Sequence, residues 1–321
     1  RLMDKKYVIG IDLGGTKINS VLSDFNGNIV SQCTVYTEAF RGKEHVLNKI
    51  MMTIDKVLQN ADKTIEEIRA IGIGSPGPLD YKNGTIITTP NLPFINFNII
   101  KPIICKYNVP AYLDNDANVA AIGEFLFGAG QGTKNMIYVT VSTGIGGGAI
   151  INGNIYRGHT FNALEIGHMT IEPNGPRCNC GNYGCAEAVA SGTAIARQGK
   201  EAIKRGEITS LSQYENVTAY EVFSEAEKGD KTSLDIINKS LNYLGICISN
   251  IITSFDPEMI IIGGGVTRAG EIVYNKVKDV VNKRCFKTMA EACKIVAPAL
   301  GTDAGVMGAI ALALIEEGIR L

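Results

Sequence analysis

The chain contains no tryptophan, and none of its 321 residues fall in an apolar run near the roughly 20 needed for a membrane-spanning helix. It also has no long basic run. Lys and Arg number 31 against 32 Asp and Glu, for a net charge of −1. That balance argues against nucleic acid or an anionic membrane as a partner. The opening Arg1-Leu2-Met3-Asp4 has no secretory apolar region, and Met3 reads as the native start. No GxxxxGK[ST] occurs, so a P-loop is excluded. No low-complexity linker is visible, so the domains are expected to pack closely. Eight cysteines form no disulfide framework. Cys33, Cys105, Cys247, Cys285 and Cys293 lie scattered among apolar residues and read as buried free thiols in a reducing cytoplasm.

What is present is an ordinary globular composition, 45% hydrophobic and 20% charged, at a length for one large or two medium domains. Short β-branched runs predict strands at Tyr7–Asp12, Ile18–Ser23, Ile29–Tyr36, Ile68–Gly74, Ala111–Asp114, Met136–Ser142, Ala149–Ile151, Met259–Ile262 and Lys294–Ala297. Leu79–Thr89 predicts a hairpin turning at Asn83-Gly84. Helical spacing predicts helices over Gly42–Asn60, Phe97–Tyr107, Ala117–Phe127, Ser191–Gly206, Ala219–Lys228, Lys231–Phe255, Arg268–Cys285 and Asp303–Gly318. One pattern recurs. Strand, glycine turn, strand, Asn-Gly-Asn turn, strand runs through Tyr7–Tyr36 and again through Met136–Arg157. Two copies predict two domains of common core fold with a cleft between them.

The densest chemistry lies between Glu165 and Glu187. Glu165-Ile-Gly-His168 is followed by Cys178-Asn-Cys180-Gly-Asn-Tyr-Gly-Cys185-Ala-Glu187. Three thiols and one imidazole suit tetrahedral zinc, and Gly181 and Gly184 let the loop wrap round an ion. The alternative is a disulfide from Cys178 or Cys180 to Cys185, less fitting for a chain without extracellular marks. Four protein ligands leave no open position, so the metal is expected to be structural and to aim the two flanking carboxylates.

Three glycine turns follow strands. In Asp12-Leu-Gly-Gly-Thr16-Lys17, glycines admit phosphate oxygens to backbone N–H groups, and Asp12 is an oxygen ligand suited to Mg²⁺. Ser142-Thr143-Gly144-Ile-Gly-Gly-Gly148 repeats that logic. Its GxGxxA pattern is not a dinucleotide motif, because a strand follows where a helix is required. Gly263-Gly264-Gly265 is the third, ahead of a helix. Leu113-Asp114-Asn115-Asp116-Ala-Asn118 ends a strand with two aspartates, either able to accept a hydroxyl proton; Asp116 equally suits a helix N-cap.

These motifs, with Asn91-Leu-Pro93 and Gly263-Gly-Gly-Val266, occur in an order that resembles bacterial sugar kinases of the ROK family, within the actin–hexokinase ATPase superfamily. The resemblance implies an α/β fold of two RNase-H-like domains around a central cleft. The first would hold residues 1–116 and 303–321, the second 117–302 with the zinc loop. It implies Asp116 as catalytic base. It implies Asn91, Asn115, Asp116, Glu165, His168 and Glu187 at the sugar, with His168 also on zinc beside Cys178, Cys180 and Cys185. Asp12, Gly14, Gly15, Thr16 and Lys17 would form the first phosphate motif, Thr143 and Gly144 the second, and Gly264 and Gly265 the adenosine motif.

The activity implied is ATP- and Mg²⁺-dependent phosphorylation of the 6-hydroxyl of a hexose, glucose first, with allose, mannose, fructose or N-acetylmannosamine as alternatives. A homodimer or homotetramer in the cytoplasm is implied as well. The family also contains sugar-sensing repressors, which carry an N-terminal DNA-binding segment for which Tyr7 leaves no room. Two departures border the expected sugar pocket. Phe161 and Leu164 stand where the family has small residues, often glycine, and Ala186 stands where it has Leu. The Trp often seen in glucose-directed members is missing.

Overall fold

An apolar run without a polar face must be covered on both sides. Tyr7–Ile11, which opens the strand Tyr7–Leu13, is such a run: Val8, Ile9 and Ile11 are fully buried, as is Leu13. In the computed structural model, which describes residues 5–89 and 91–319, this strand is the centre of a five-stranded sheet. The order is Ile29–Tyr36, Lys17–Asp24, Tyr7–Leu13, Ile68–Ser75, Ala111–Asn115. The first three pair antiparallel and the last two join in parallel. Because side chains alternate across a strand, Ile9 and Ile11 meet Val46, Ile50 and Ile54 of the Lys43–Asn60 helix on one face. Val8 meets Val306 and Ile310 on the other. That second cover is the Ala304–Glu316 helix, buried without interruption from Val306 to Leu314, as a helix apolar all round must be.

The chain divides into two units, Arg1–Gly132 with Gly158–Phe161 and Ala299–Leu321, and Thr133–Arg157 with Asn162–Pro298. The second unit has its own sheet, ordered Asn154–Tyr156, Ile145–Ile151, Met136–Val141, Met259–Gly263, Lys294–Val296. Its directions match the first: an antiparallel triplet, then two parallel strands. The repeated sequence pattern is therefore one sheet topology built twice. The Lys231–Phe255 helix covers the second sheet, burying Ile237, Leu241, Leu244, Ile248 and Ile252 at helical spacing.

Several expectations are corrected. Phe97–Tyr107 is a strand, Ile95–Asn98, and then a helix, Ile100–Tyr107; Asn98 Oδ1 accepts the Lys101 N–H at 2.8 Å and starts the helix there. The glycines from 146 to 148 are not a turn. They pair in register with Thr140, Val139 and Tyr138, so the strand is Ile145–Ile151. Arg268–Cys285 splits into a 3₁₀ turn, Gly265–Ala269, and a helix, Glu271–Arg284, because Gly270 at φ 84° breaks the path. Cys105 is exposed and Cys33 and Cys285 are half-buried; only Cys247 and Cys293 of that group are buried. The boundary at 116/117 differs from the observed division, since the Asp116–Phe127 helix packs on Ala304–Glu316 within the first unit. The reading of Arg1–Asp4 lies outside the described residues. Among the described residues no helix is long and apolar enough to cross a membrane.

Candidate active site

In the first unit the central strand delivers Asp12 to its end. The next residues fold back at once: the Gly14 N–H donates to the Lys17 carbonyl at 2.9 Å, and Thr37 Oγ1 donates to the Gly14 carbonyl at 2.6 Å. Gly15 lies against Asn91, and a β-carbon at 15 would sit 2.5 Å from Asn91 Cβ. The glycine turn and the Asn91 loop are thus packed together. Lys17 holds its ammonium 5.7 Å from the Tyr36 ring centroid. Asp12 is half-buried, and desolvation raises its carboxyl above the ordinary value.

The Asp114–Asp116 ambiguity has a structural answer in hydrogen bonds. Asp114 is buried, and its Oδ1 accepts from the Asn115 N–H (2.8 Å) and from Asn118 Nδ2 (2.9 Å), which makes it a strut. The helix cap is Asn115, whose Oδ1 accepts the Asn118 N–H at 2.9 Å. Asp116 is the first helical residue and does not serve as the cap. It is open to solvent at its surface, yet crowded by protein behind. Desolvation first, then the negative charge of Asp12, push its carboxyl up to about 7. A carboxyl titrating near neutrality is suited to general base chemistry.

In the second unit, the Ser142 N–H donates to the Gly144 carbonyl at 2.8 Å, closing a tight turn with Thr143 exposed at its tip. The Gly192 N–H donates to the Ser142 carbonyl at 2.7 Å, and Ser191 Oγ caps the Gly192–Lys204 helix through the Ala194 N–H. Glu187 Oε2 accepts the Ile145 N–H at 3.0 Å. A cavity of about 770 Å³ opens beside this turn, lined among others by Thr143, Lys200, Tyr220, Phe223, Gly265 and Arg268. Gly264, at φ 94°, packs under it on Val141. Lys200, Tyr220 and Phe223 went unread in the sequence. They come from two helices well beyond the Thr143 turn in the chain, and amphipathic spacing alone does not mark which side chain faces a cavity.

The third assembly is the metal loop. One ring nitrogen of His168 and the Sγ atoms of Cys178, Cys180 and Cys185 all lie within 4.8 Å of one another. Cys178 Sγ is 3.7 Å from His168 Nδ1, and Cys180 Sγ is 3.6 Å from Cys185 Sγ. A tetrahedron with bonds of about 2.3 Å has edges of about 3.8 Å, so the donor set fits zinc; a disulfide needs about 2.05 Å, and all the cysteines are free. Burial pushes the Cys185 thiol up to about 12, while a backbone N–H from Asn182 holds Cys180 lower. A divalent cation would supply the charge to ionise both. Gly184 is required here: its φ is +67°, and a β-carbon would fall 1.5 Å from the Glu172 carbonyl oxygen. Glu165 is exposed, its carbonyl accepting the His168 N–H at 3.0 Å.

Two non-glycine residues before Glu165 hold left-handed backbone, Phe161 at φ 62° and Leu164 at φ 66°. Phe161 packs on Tyr81 with ring centroids 5.5 Å apart and ring planes tilted by 31°, and Lys82 lies 5.0 Å from the centroid of the Phe161 ring. Leu164 is buried in the second unit's core.

Comparison with known proteins places these features in a family. Residues 8–316 match the ROK family. A glucokinase of Thermotoga maritima is 36% identical over 97% of this chain and 98% of its own length. A xylose repressor of Caldicellulosiruptor bescii is 34% identical over 97% of this chain and 79% of its own. A ROK hexokinase from Thermus thermophilus superposes with a TM-score of 0.87 at 33% identity, covering 98% of this chain and all of that one. A ROK glucokinase from Streptomyces griseus, solved with glucose and AMPPNP, gives 0.71 at 31% identity over 96% and 99%. The duplicated sheet is accordingly that of an actin- and hexokinase-type α/β fold, and the chain belongs to the ROK family.

Proposed function

We propose that the protein is an ATP-dependent hexose kinase that phosphorylates the 6-hydroxyl, with glucose as its preferred acceptor. The observation that carries the reading is Asp116: a solvent-accessible carboxylate, not used as a cap, near Asp12 and titrating at about 7. Asp116 accepts the hydroxyl proton as the sugar oxygen attacks the γ-phosphorus of ATP. The bond to the β–γ bridging oxygen breaks and ADP leaves. Asp12 offers oxygen ligands for Mg²⁺, which when bound offsets phosphate charge. Gly14, Gly15, Thr16 and Lys17, with Thr143 and Gly144, hold the phosphates. The cavity at Gly265, Tyr220 and Phe223 takes the nucleoside. Asn91, Asn115, Glu165, His168 and Glu187 bind sugar hydroxyls, and His168 with Cys178, Cys180 and Cys185 holds a structural zinc.

The glucokinase relative and the glucose- and AMPPNP-bound family member support this choice of substrates. The experiment is ADP release measured across glucose, allose, mannose, fructose and N-acetylmannosamine, with and without Mg²⁺. Glucose should give the highest kcat/KM. No turnover on any hexose would overturn the reading. A sugar-sensing regulator is the second reading, favoured by the repressor relative; it predicts salt-dependent duplex DNA binding without turnover. We further propose a homodimer or homotetramer in the cytoplasm, which native mass measurement and cell fractionation would test.

A further inference from the structure

We propose that Glu187 is a positioning residue for the Thr143–Ile145 turn, carrying the rigidity of the metal loop into the part of the site that grips the nucleotide. The inference rests on the kinase reading and goes beyond the sugar-binding role given to Glu187 there. One oxygen of its carboxylate is engaged by the turn. Oε2 accepts the Ile145 N–H at 3.0 Å, and a β-carbon on Gly144 would lie 2.4 Å from that same oxygen. That oxygen therefore sits against the turn, in space that only glycine at 144 leaves open.

Behind Glu187 the backbone is held from the metal side. Cys185 is two residues away, and the Ala186 N–H donates to the Met169 carbonyl at 2.9 Å, next to His168. Glu187 sits in the first turn of the Ala186–Ala190 helix, which ends at the Ser191 cap. From there the Gly192 N–H reaches the Ser142 carbonyl at 2.7 Å. The turn is clamped at Ile145 by Glu187 and at Ser142 by Gly192, through one continuous stretch, 185–192, that starts on a metal ligand. An ionised acceptor makes the stronger kind of hydrogen bond. A residue serving only the sugar has no need of this bond.

The test is AMP-PNP binding with Mg²⁺ and no sugar, by calorimetry, on the full chain. Glu187→Ala should weaken binding about ten-fold or more, the scale for a lost charge-assisted bond. Glu187→Gln keeps an acceptor oxygen and should stay within about three-fold of wild type. Gly144→Ala displaces the carboxylate from the opposite side and should also weaken binding about ten-fold. Glu187→Ala within about two-fold of wild type, with only glucose affinity reduced, would overturn the inference. If Glu187→Ala loses its metal or its fold, Glu187→Asp, which keeps the charge but withdraws the oxygen from the Ile145 N–H, decides by the same two-fold criterion. A wild-type chain that binds no nucleotide overturns the kinase reading itself, and the inference with it; normal wild-type binding with unaffected variants removes the inference alone.

Discussion

Asp12 occupies the space that a side chain at Gly305 would need: a β-carbon at 305 would lie 2.3 Å from Asp12 Oδ2. The carboxylate thus rests on the first turn of the Ala304–Glu316 helix, where the helix dipole favours negative charge. Gly305→Ala should push Asp12 aside while the buried remainder of the helix stays packed. We expect kcat/KM for Mg–ATP to fall about ten-fold or more, since small misplacements of a binding group are costly, and the half-saturating Mg²⁺ concentration to rise. Steady-state kinetics over a Mg²⁺ series checks this. Unchanged Mg²⁺ dependence would remove Asp12 from the metal role.

Asp116→Asn keeps the shape of the side chain and loses its basicity. Turnover should fall about 10²- to 10⁴-fold, the range for general base catalysis. Glucose affinity, read by calorimetry, should stay within about three-fold. Full turnover in this variant would reassign the base.

The raised Asp116 pKa gives two pH signatures. In the proposed role the deprotonated form acts as base, so kcat/KM should rise with pH through about 7 and level off above it. Asp12→Asn removes the nearby negative charge and should move the nucleotide-free titration of Asp116 to lower pH, read by NMR. Stability runs the other way. The folded carboxyl holds its proton to higher pH than the unfolded one, so between about 4 and about 7 the folded state binds more protons, and its stability falls as pH rises. Asp116→Asn should therefore melt higher than wild type at pH 8, with the difference gone near pH 4.

The metal loop should bind one zinc per chain, and Cys178→Ser should lose it, read by elemental analysis. A zinc-depleted chain should melt several degrees lower, because the metal closes a loop otherwise held by backbone bonds such as Cys178 N–H to Asn182 O at 2.7 Å. Purified protein with oxidised cysteines and no metal would favour the disulfide.

Phe161→Gly should change stability little. It relieves left-handed backbone strain of about 1–2 kcal/mol and forfeits the tilted ring contact with Tyr81, worth about 0.5–1.5 kcal/mol. The same variant should alter the ranking of hexoses in the ADP-release assay, as the residue lies four positions before Glu165. An identical ranking would show that the ring has no part in selectivity.

The parts legible in the sequence were those whose chemistry is local. Val8, Ile9 and Ile11 had to form a covered strand because no polar residue interrupts them. His168 and the three cysteines were legible as a candidate metal-binding set because they lie close in the chain, and the structure brings their donor atoms within 4.8 Å of one another. Other parts were misread for lack of a partner in view. Gly146–Gly148 reads as a turn in isolation, and it is the pairing with Tyr138–Thr140 that makes it a strand. Asn115 and Asp116 are equally good caps on paper. The Asn118 N–H goes to Asn115, so Asp116 is the first helical residue and not the cap.

By itself the sequence determined most of the elements, that one topology occurs twice, and which residue types cluster at strand ends, because strand period, turn chemistry and metal-ligand spacing act over neighbouring residues. Only the tertiary structure decided the contacts between distant positions: Asp12 against Gly305, Glu187 on the Ile145 N–H, Tyr220 and Phe223 beside Thr143. Those contacts are steric and electrostatic fits between surfaces brought together by burial of the two cores, and no local rule of the chain encodes a fit between parts that meet only after folding.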